Sequence, residues 1–342
     1  MHMSDALLSP AVGGTMWVAA GATLGTCARR LNGRLEDGMV PLMGVLGAFV
    51  FAAQMINFTL PGTGSSGHLG GGLLLAILLG PHAAFVVVAS VLTVQALFFA
   101  DGGLLALGSN IVNLGLFPCL LAYPLIYRPL AAGDGGNDRR TFATVLAAVV
   151  ALQFGAFAVV LQTTLSGLAD LPFVAFALLM QPIHLGIGLV EGLVTAAVVR
   201  YVGQARPDLL RMTPVLAAAP RRRKKALAVL LAAAMLVGGV FSWFASAHPD
   251  GLEWALAKAG FEEEQSGGEG LHGGLARVQQ RLALFPDYGF RSEEQSAEVA
   301  EKETWPQADA GTSAAGIVGG ALTLLLAAVV GLLLKRRSRE SA

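Results

Sequence analysis

The sequence predicts an all-α polytopic membrane protein, with a bundle of about seven helical segments followed by a C-terminal two-helix hairpin that carries an extracytoplasmic loop. Composition is the first observation behind this prediction: 54% of the residues are hydrophobic and only 13% are charged, about half the charged share of a soluble domain. Apolar run length is the second, because many runs approach the roughly 20 residues that a membrane-spanning helix needs. The third is the placement of Lys and Arg outside these runs.

The apolar runs divide the chain into nine predicted segments. One of them, at 69–80, is too short to cross a bilayer without help from its neighbours. The other eight have the length of a span: 11–28, 39–59, 82–100, 104–127, 141–165, 171–199, 226–246 and 314–334.

The basic residues predict the orientation, because positive charge near helix ends is retained on the cytoplasmic side. Clusters follow the first, fifth, seventh and ninth segments, at 29–34, 128–140, 200–225 and 335–339. All four lie inside if the short segment counts as a crossing. We therefore expect the N-terminus outside and the C-terminus in the cytoplasm. No basic residue precedes the first run and no convincing cleavage site follows it, so we expect Met1 to persist.

Two blocks are predicted, 1–203 and 226–342, joined by a basic cytoplasmic linker at 204–225. The first block packs seven segments through small-residue faces such as Gly21/Gly25 and Gly188/Gly192. The second is an accessory hairpin whose loop, 247–313, holds 13 acidic and 5 basic residues. We expect a solvated loop, including His248 and His272, with helices near 251–260 and 271–284. The alternative is a negative surface that concentrates cations or docks on the first block.

The first two residues, Met1 and His2, form a chelating group. The α-amine, the amide nitrogen of His2 and the Nδ1 atom of its ring close a five-membered and a six-membered ring on one metal ion. With the amide ionised the set is nearly planar, which suits Ni²⁺ or Cu²⁺. The alternative is that His2 is part of an exposed tail.

His68 is the predicted fourth donor, because it follows the glycine-rich stretch 62–67 at the outer end of the second segment, on the side of Met1. Glycine-rich backbone at membrane depth must be buried in protein or line a cavity, as in a binding site. Asn57 lies at the same end. His82, at the inner end, is expected to be structural.

Polar side chains inside the predicted segments form a second group. They are expensive in lipid and should face the bundle interior. Two of them, His184 and Glu191, are seven residues apart and share one helical face. Interhelical hydrogen bonding is the favoured explanation, and a role beside a bound ion is the alternative. The group comprises Gln54, Asn57, Gln95, Asn110, Asn113, Gln153, Gln162, Gln181, His184 and Glu191.

The sequence contains no Walker phosphate loop, no HExxH motif and no CxxC pair, so the chain cannot hydrolyse ATP alone. Its two cysteines, Cys27 and Cys119, fall in predicted spans and are expected to be small apolar side chains.

The first 200 residues contain three further motifs: Met1-His2-Met3 with Leu8-Ser9-Pro10, the stretch from Gln54 to Leu69, and Leu78-Leu79-Gly80-Pro81. These motifs resemble the substrate-binding membrane component of the energy-coupling-factor cobalt/nickel transporters. Pro249-Asp250-Gly251-Leu252-Glu253-Trp254 and Phe285-Pro286-Asp287-Tyr288 resemble the small two-helix accessory component of PDGLE type, here fused in one chain. The family often has isoleucine at position 3 and glutamate at position 5, where this chain has Met3 and Asp5, and neither is a proposed ligand.

The resemblance implies a divalent ion held outside by Met1, His2 and His68, with possible second-sphere or ion-path roles for Asn57, Ser66, His184 and Glu191. It implies a coupling transmembrane subunit and two ATPase subunits as partners in a bacterial inner membrane, no nucleic acid and no permanently bound cofactor. Nickel is slightly favoured as the substrate, and cobalt uptake for cobalamin biosynthesis is the alternative. Two rivals of another class remain: an ion-coupled secondary transporter with Glu191 as a proton relay, and an intramembrane metalloenzyme using His184 and Glu191.

Overall fold

Helices form most of the computed structural model, which describes residues 1–32, 35, 38–132, 136–205, 220–261, 270–291, 306 and 308–340. Two three-residue strands, β1 (Phe58–Leu60) and β2 (Ser65–Gly67), pair antiparallel with Phe58 opposite Gly67. The helices are α1 (Pro10–Leu31), α2 (Met39–Gln54), α3 (Gly72–Leu79), α4 (Pro81–Val94), α5 (Leu107–Ala131), α6 (Gly136–Ser166), α7 (Phe173–Ala205), α8 (Pro220–Gly239), α9 (Gly251–Lys258), α10 (Leu271–Leu282) and α11 (Ala310–Glu340).

Five helices of the described chain have the length and apolar content of a membrane span: Pro81–Phe99, Leu107–Ala131, Gly136–Ser166, Phe173–Gln204 and Ala310–Arg336. Two shorter apolar helices, Met39–Gln54 and Leu227–Gly239, accompany them. The predicted class, an all-α polytopic membrane protein, is confirmed. The predicted span at 11–28 is helical as α1, but α1 is not apolar enough to be counted with the five.

The short predicted segment at 69–80 forms only the eight-residue helix α3. At a rise of about 1.5 Å per residue it is about 12 Å long, well short of a bilayer. Gly80 ends it with a φ of 83°, a conformation that favours glycine, and Pro81 then begins α4. The helix is buried inside the bundle, where a methyl group on Gly72 would lie 2.6 Å from Cγ of Pro118 in α5.

Helix α5 is π-helical from Val112 to Tyr127 and contains Pro118 and Pro124. Proline has no N–H and clashes with the carbonyl one turn back, so the regular α-helical ladder cannot continue through such a stretch. The sequence predicts this span, but its apolar run carries no signal for the wider turn.

Helices α6 and α7 pack closely through glycine. A methyl group on Gly188 would lie 3.0 Å from Cα of Val149, and one on Gly192 would lie 2.7 Å from Cα of Val145. By contrast, no atom of the described residues beyond the adjacent residues and backbone of α1 comes within 4 Å of a methyl group on Gly21 or Gly25. Of these two predicted small-residue faces, only Gly188/Gly192 therefore packs against another helix among the described residues.

Polar side chains join the spans, in agreement with the favoured explanation for them. Asn113 of α5 and Gln162 of α6 exchange two hydrogen bonds, at 2.9 and 2.8 Å. Gln153 donates to the carbonyl oxygen of Gln181 at 2.9 Å, between α6 and α7. These bonds replace the missing hydrophobic driving force between helices in lipid.

The second block packs directly on the first. The carbonyl oxygen of Leu324 in α11 lies 3.0 Å from the position that a methyl group added to Gly44 of α2 would take. Gly238 of α8 likewise packs against Ala52 of α2. Helix α2 is thus shared by both blocks. The predicted helices near 251–260 and 271–284 are α9 and α10. Most of the predicted linker, 206–219, lies outside the described residues, as do the acidic stretches 262–269 and 292–305.

We expect Gly192→Ala to destabilise the isolated chain by about 1–3 kcal/mol, because the added methyl group overlaps the backbone of α6. Gly21→Ala is the matched control and should leave stability unchanged or slightly raised. Thermal unfolding in detergent measures both, and equal midpoints for the two variants would contradict the described packing.

Candidate metal centre at the buried N-terminus

The first eight residues lie inside the bundle, where Met3 and Leu8 have no exposed surface and Met1 is 7% exposed. Asn110 of α5 fixes this segment with two hydrogen bonds: its Oδ1 accepts from the amide of Met3 at 2.8 Å, and its Nδ2 donates to the carbonyl of Met3 at 3.1 Å. Asp5 accepts from the amide of Ala106 at 2.9 Å. The alternative of an exposed N-terminal tail does not describe this structure.

The Met1 ammonium group donates to Oδ2 of Asp250 at 2.9 Å, and both side chains are largely buried. The other carboxylate oxygen, Oδ1, caps α9 by accepting from the amides of Leu252 and Glu253. Burial by itself raises the pKa of Asp250, but the Met1 ammonium and His68 outweigh it and hold that pKa well below its usual range. Asp250 is therefore the negative partner of a buried positive charge.

The rings of His2 and His68 stack with centroids 5.1 Å apart and planes 17° apart. Burial lowers the pKa of His2 below 6.5, against an opposing effect of Asp101. Burial, together with the Met1 ammonium and His2, lowers the pKa of His68 to about 4. Both imidazoles are thus held neutral at physiological pH, the form that binds metal.

In both histidines Nδ1 faces an oxygen atom and Nε2 is the free nitrogen. Nδ1 of His68 lies 3.2 Å from the carbonyl oxygen of Leu69, so it carries the proton and leaves the lone pair on Nε2. Nδ1 of His2 lies 3.3 Å from Oδ1 of Asp101, while its buried Nε2 has no partner among the described residues. The predicted chelate uses Nδ1 of His2, so the ring must turn away from Asp101 to bind an ion with Met1.

Glu191 holds the loop that carries His68. Its two carboxylate oxygens accept from the amides of Gly70 and Gly71, each at 3.0 Å. Gln54 donates to the carbonyl of Gly70 at 2.9 Å. Glu191 thus replaces the β-ladder and helix partners that this irregular backbone lacks.

The second block covers the site through backbone contacts. Ser66 donates through its amide to the carbonyl of Pro249 at 2.8 Å, and through Oγ to the carbonyl of His248 at 2.7 Å. Asn57 accepts at its carbonyl from the amide of Ser246 at 2.7 Å. His272, expected in a solvated loop, is half-buried with Nε2 2.9 Å from the carbonyl oxygen of Leu8. The docked alternative therefore holds for the described residues of this loop.

A cavity of about 570 Å³ lies between the two blocks and reaches His2, His68 and Asn57. Five carboxylates also line it: Asp5, Asp101, Asp250, Glu253 and Asp287. Such a lining gives a negative potential that raises the local concentration of cations. Among the described residues, no three His, Cys, Asp or Glu side chains form a group that could hold a metal ion.

The sequence-predicted residues therefore divide into three sets. Met1, His2 and His68 lie together at one end of the bundle, with Asn57 on the wall of the large cavity. Ser66 and Glu191 support the loop of His68. His184 lines a second, small cavity that Met1 and His68 also border.

Sequence reasoning missed the direct partners of the N-terminus, Asp101, Asn110 and Asp250. Asn110 was grouped with the other polar residues in the spans, and Asp250 was used only for the resemblance. One local signal was available, since Asp250 and Glu253 form a capping box before α9. That signal predicts a helix start and not the distant amine.

Comparison with known proteins agrees with this architecture. Residues 2–209 match the CbiM family model, described as the cobalt uptake substrate-specific transmembrane region, and residues 224–336 match the PDGLE domain. A fused nickel transport protein, NikMN, from Archaeoglobus fulgidus, itself named provisionally, is 34% identical over 95% of this chain and 96% of its own length. The fused nickel transport protein NikMN of Rhodobacter capsulatus is 30% identical, covering 84% and 88%.

A solved structure has a similar fold. The crystal structure of a truncated transition metal transporter superposes with a TM-score of 0.52 and is 30% identical, covering 60% of this chain and 99% of that one.

We expect Asn110→Ala to release the N-terminal segment, because the amide and carbonyl of Met3 both lose their partner. The rate at which an amine-specific reagent modifies Met1 should rise at least tenfold. Ser90→Ala is the control, since buried Ser90 bonds only within its own helix. Equal modification rates in the two variants would show that Asn110 does not hold the N-terminus.

Proposed function

Because the chain belongs to the CbiM family of cobalt uptake substrate-specific transmembrane regions and carries a PDGLE domain, we propose that it captures Ni²⁺ or Co²⁺ at its N-terminus for uptake. It acts as the substrate-binding subunit of an ATP-driven transporter and not as an enzyme. One observation supports this most directly: the Met1 amine, His2 and His68 are buried together at one end of the bundle.

Four nitrogen atoms form the proposed ligand set: the Met1 amine, the amide and Nδ1 of His2, and Nε2 of His68. A planar set of this kind favours Ni²⁺ among the ions considered. The amine must leave Asp250 and the ring of His2 must leave Asp101 before the ion is held. Two contacts of the metal-free site are therefore exchanged for metal bonds, and the two freed carboxylates stay close enough to balance the positive charge.

Nickel is the favoured substrate. The two fused relatives that span most of this chain are both named as nickel transport proteins. The cobalt transport protein CbiM of Sorangium cellulosum is 33% identical over 53% of this chain and 80% of its own length. Cobalt uptake for cobalamin biosynthesis is thus the second candidate, and competition between the two ions at the purified chain decides between them.

Energy comes from partners in this proposal. A coupling transmembrane subunit and two ATPase subunits act on the chain, which has its N-terminus outside the cell and its C-terminus in the cytoplasm. The rival proton relay needs a carboxylate that is free to exchange protons, whereas Glu191 accepts two backbone hydrogen bonds. Transport that persists after all ATPase partners have been removed would favour that rival.

His68→Gln should weaken Ni²⁺ binding by at least about a hundredfold, because one of four nitrogen donors is lost. His248→Gln is the matched control, since His248 lies in the covering segment but outside the ligand set. His2→Gln should abolish binding as well, because the six-membered chelate ring through the imidazole Nδ1 atom no longer forms. Calorimetry in detergent measures all three affinities, and unchanged affinity in the His68 or His2 variant would overturn the proposed site.

The lowered imidazole pKa values set the proton balance of binding. The folded pKa of His68, about 4, lies below the ordinary 6.5, so its neutral, metal-binding form persists until pH falls through about 4. At pH 6 the His68 ring should have no proton to release, so the ion should displace at most three protons, from the amine and from the amide and ring of His2, and not four. Calorimetry in buffers of different ionisation enthalpy counts them, and four protons per ion would contradict the burial of His68.

A further inference from the structure

His184 of α7 is a buried imidazole that the proposed ligand set does not use. It is 1% exposed, and its Nδ1 lies 2.8 Å from the carbonyl oxygen of Met180 in the same helix. A carbonyl only accepts, so Nδ1 carries the proton and Nε2 keeps a lone pair. Among the described residues this buried nitrogen has no hydrogen-bond partner.

Nothing in the packing of the described helices requires an imidazole here. A residue that joins helices would bond to a neighbouring helix, as Asn113 and Gln162 do, whereas His184 bonds only within α7. A polar group inside a membrane bundle is costly when it is not satisfied. The free nitrogen of His184 therefore points to a ligand.

A cavity of about 20 Å³ connects His184 with the N-terminal site. It has room for one water molecule or one ion. Met1 and His68 lie on one part of its wall and His184 and Glu191 on another, and Asp250 also borders it. Glycine keeps the space open, since a methyl group on Gly251 would come within 3.1 Å of Cε1 of His184.

We propose that Nε2 of His184 is a second binding position for the transported divalent cation, which takes the ion as it leaves Met1 and His68. A neutral imidazole nitrogen suits Ni²⁺ and Co²⁺, and it has no proton to displace. The carboxylate of Glu191, seven residues along the same helix face, keeps the cavity electrostatically favourable for a cation. The inference rests on the proposed function, because it concerns where the ion binds after it leaves the N-terminal site.

Transport of Ni²⁺ by the full chain with its coupling and ATPase partners tests this step. His184→Gln should lower the uptake rate at least tenfold while the equilibrium affinity for Ni²⁺ stays within threefold, because the N-terminal donors are intact. Gly251→Ala should lower the rate in the same direction by narrowing the cavity. Thr195→Val, a buried substitution further along the same helix, should change neither quantity.

The outcomes separate the two proposals. Failure of the unmodified chain to bind Ni²⁺ would overturn the proposed function. Binding and uptake by the unmodified chain, with His184→Gln transporting as fast as Thr195→Val, would overturn only the second position. A tenfold loss of affinity in a folded His184→Gln chain would place His184 in the first site and would also overturn the proposed second position. If His184→Gln does not fold, Gly251→Ala decides: full-rate uptake by that variant contradicts the inference.

Discussion

The ion pair between the Met1 ammonium and the Asp250 carboxylate is the interaction on which the rest of the site depends. Burying an ammonium group is expensive, and removing one partner of a buried pair costs about 3–5 kcal/mol. Asp250 comes from the second block, 249 residues away, so the charge of the buried amine is balanced across the contact between the two blocks. In the proposed mechanism Asp250 holds the Met1 amine in position until the ion binds. The amine then bonds to the ion, and the Asp250 carboxylate remains nearby as a counter-charge.

The supports around this pair are backbone contacts in which side chains replace missing secondary structure. Asn110 acts on the N-terminal segment as a strand partner would, and Glu191 does the same for the loop before α3. Helix α2 contacts both blocks, so the covering segment with Asp250 is held by the same bundle that holds His68. A polar residue in a span is therefore structural here in most cases, whereas the buried Nε2 atom of His184 has no partner among the described residues.

Local patterns in the sequence predicted much of this, and distant contacts account for what they did not. Runs of apolar residues predicted the spans, and the chemistry of an amine followed by His2 led to the expectation that Met1, His2 and His68 lie close together, as they do. The contacts of Asp250 with the Met1 amine and of Asp101 with His2 were not predicted, because nothing near either aspartate in the sequence indicates these distant partners. Gly21 and Gly192 carry the same small-residue pattern, yet only Gly192 meets a described neighbour, since the pattern permits close approach without specifying a partner. The short strands β1 and β2 are too brief to show a period of two.

Anomalous diffraction at the nickel edge from crystals of the Ni²⁺-loaded full chain tests the central claim most directly. The account predicts one strong peak at bonding distance from the Met1 amine, from the amide and Nδ1 of His2, and from Nε2 of His68, with Asp250 no longer paired to the amine. A peak among the carboxylates of the large cavity, with the amine still bonded to Asp250, would contradict it.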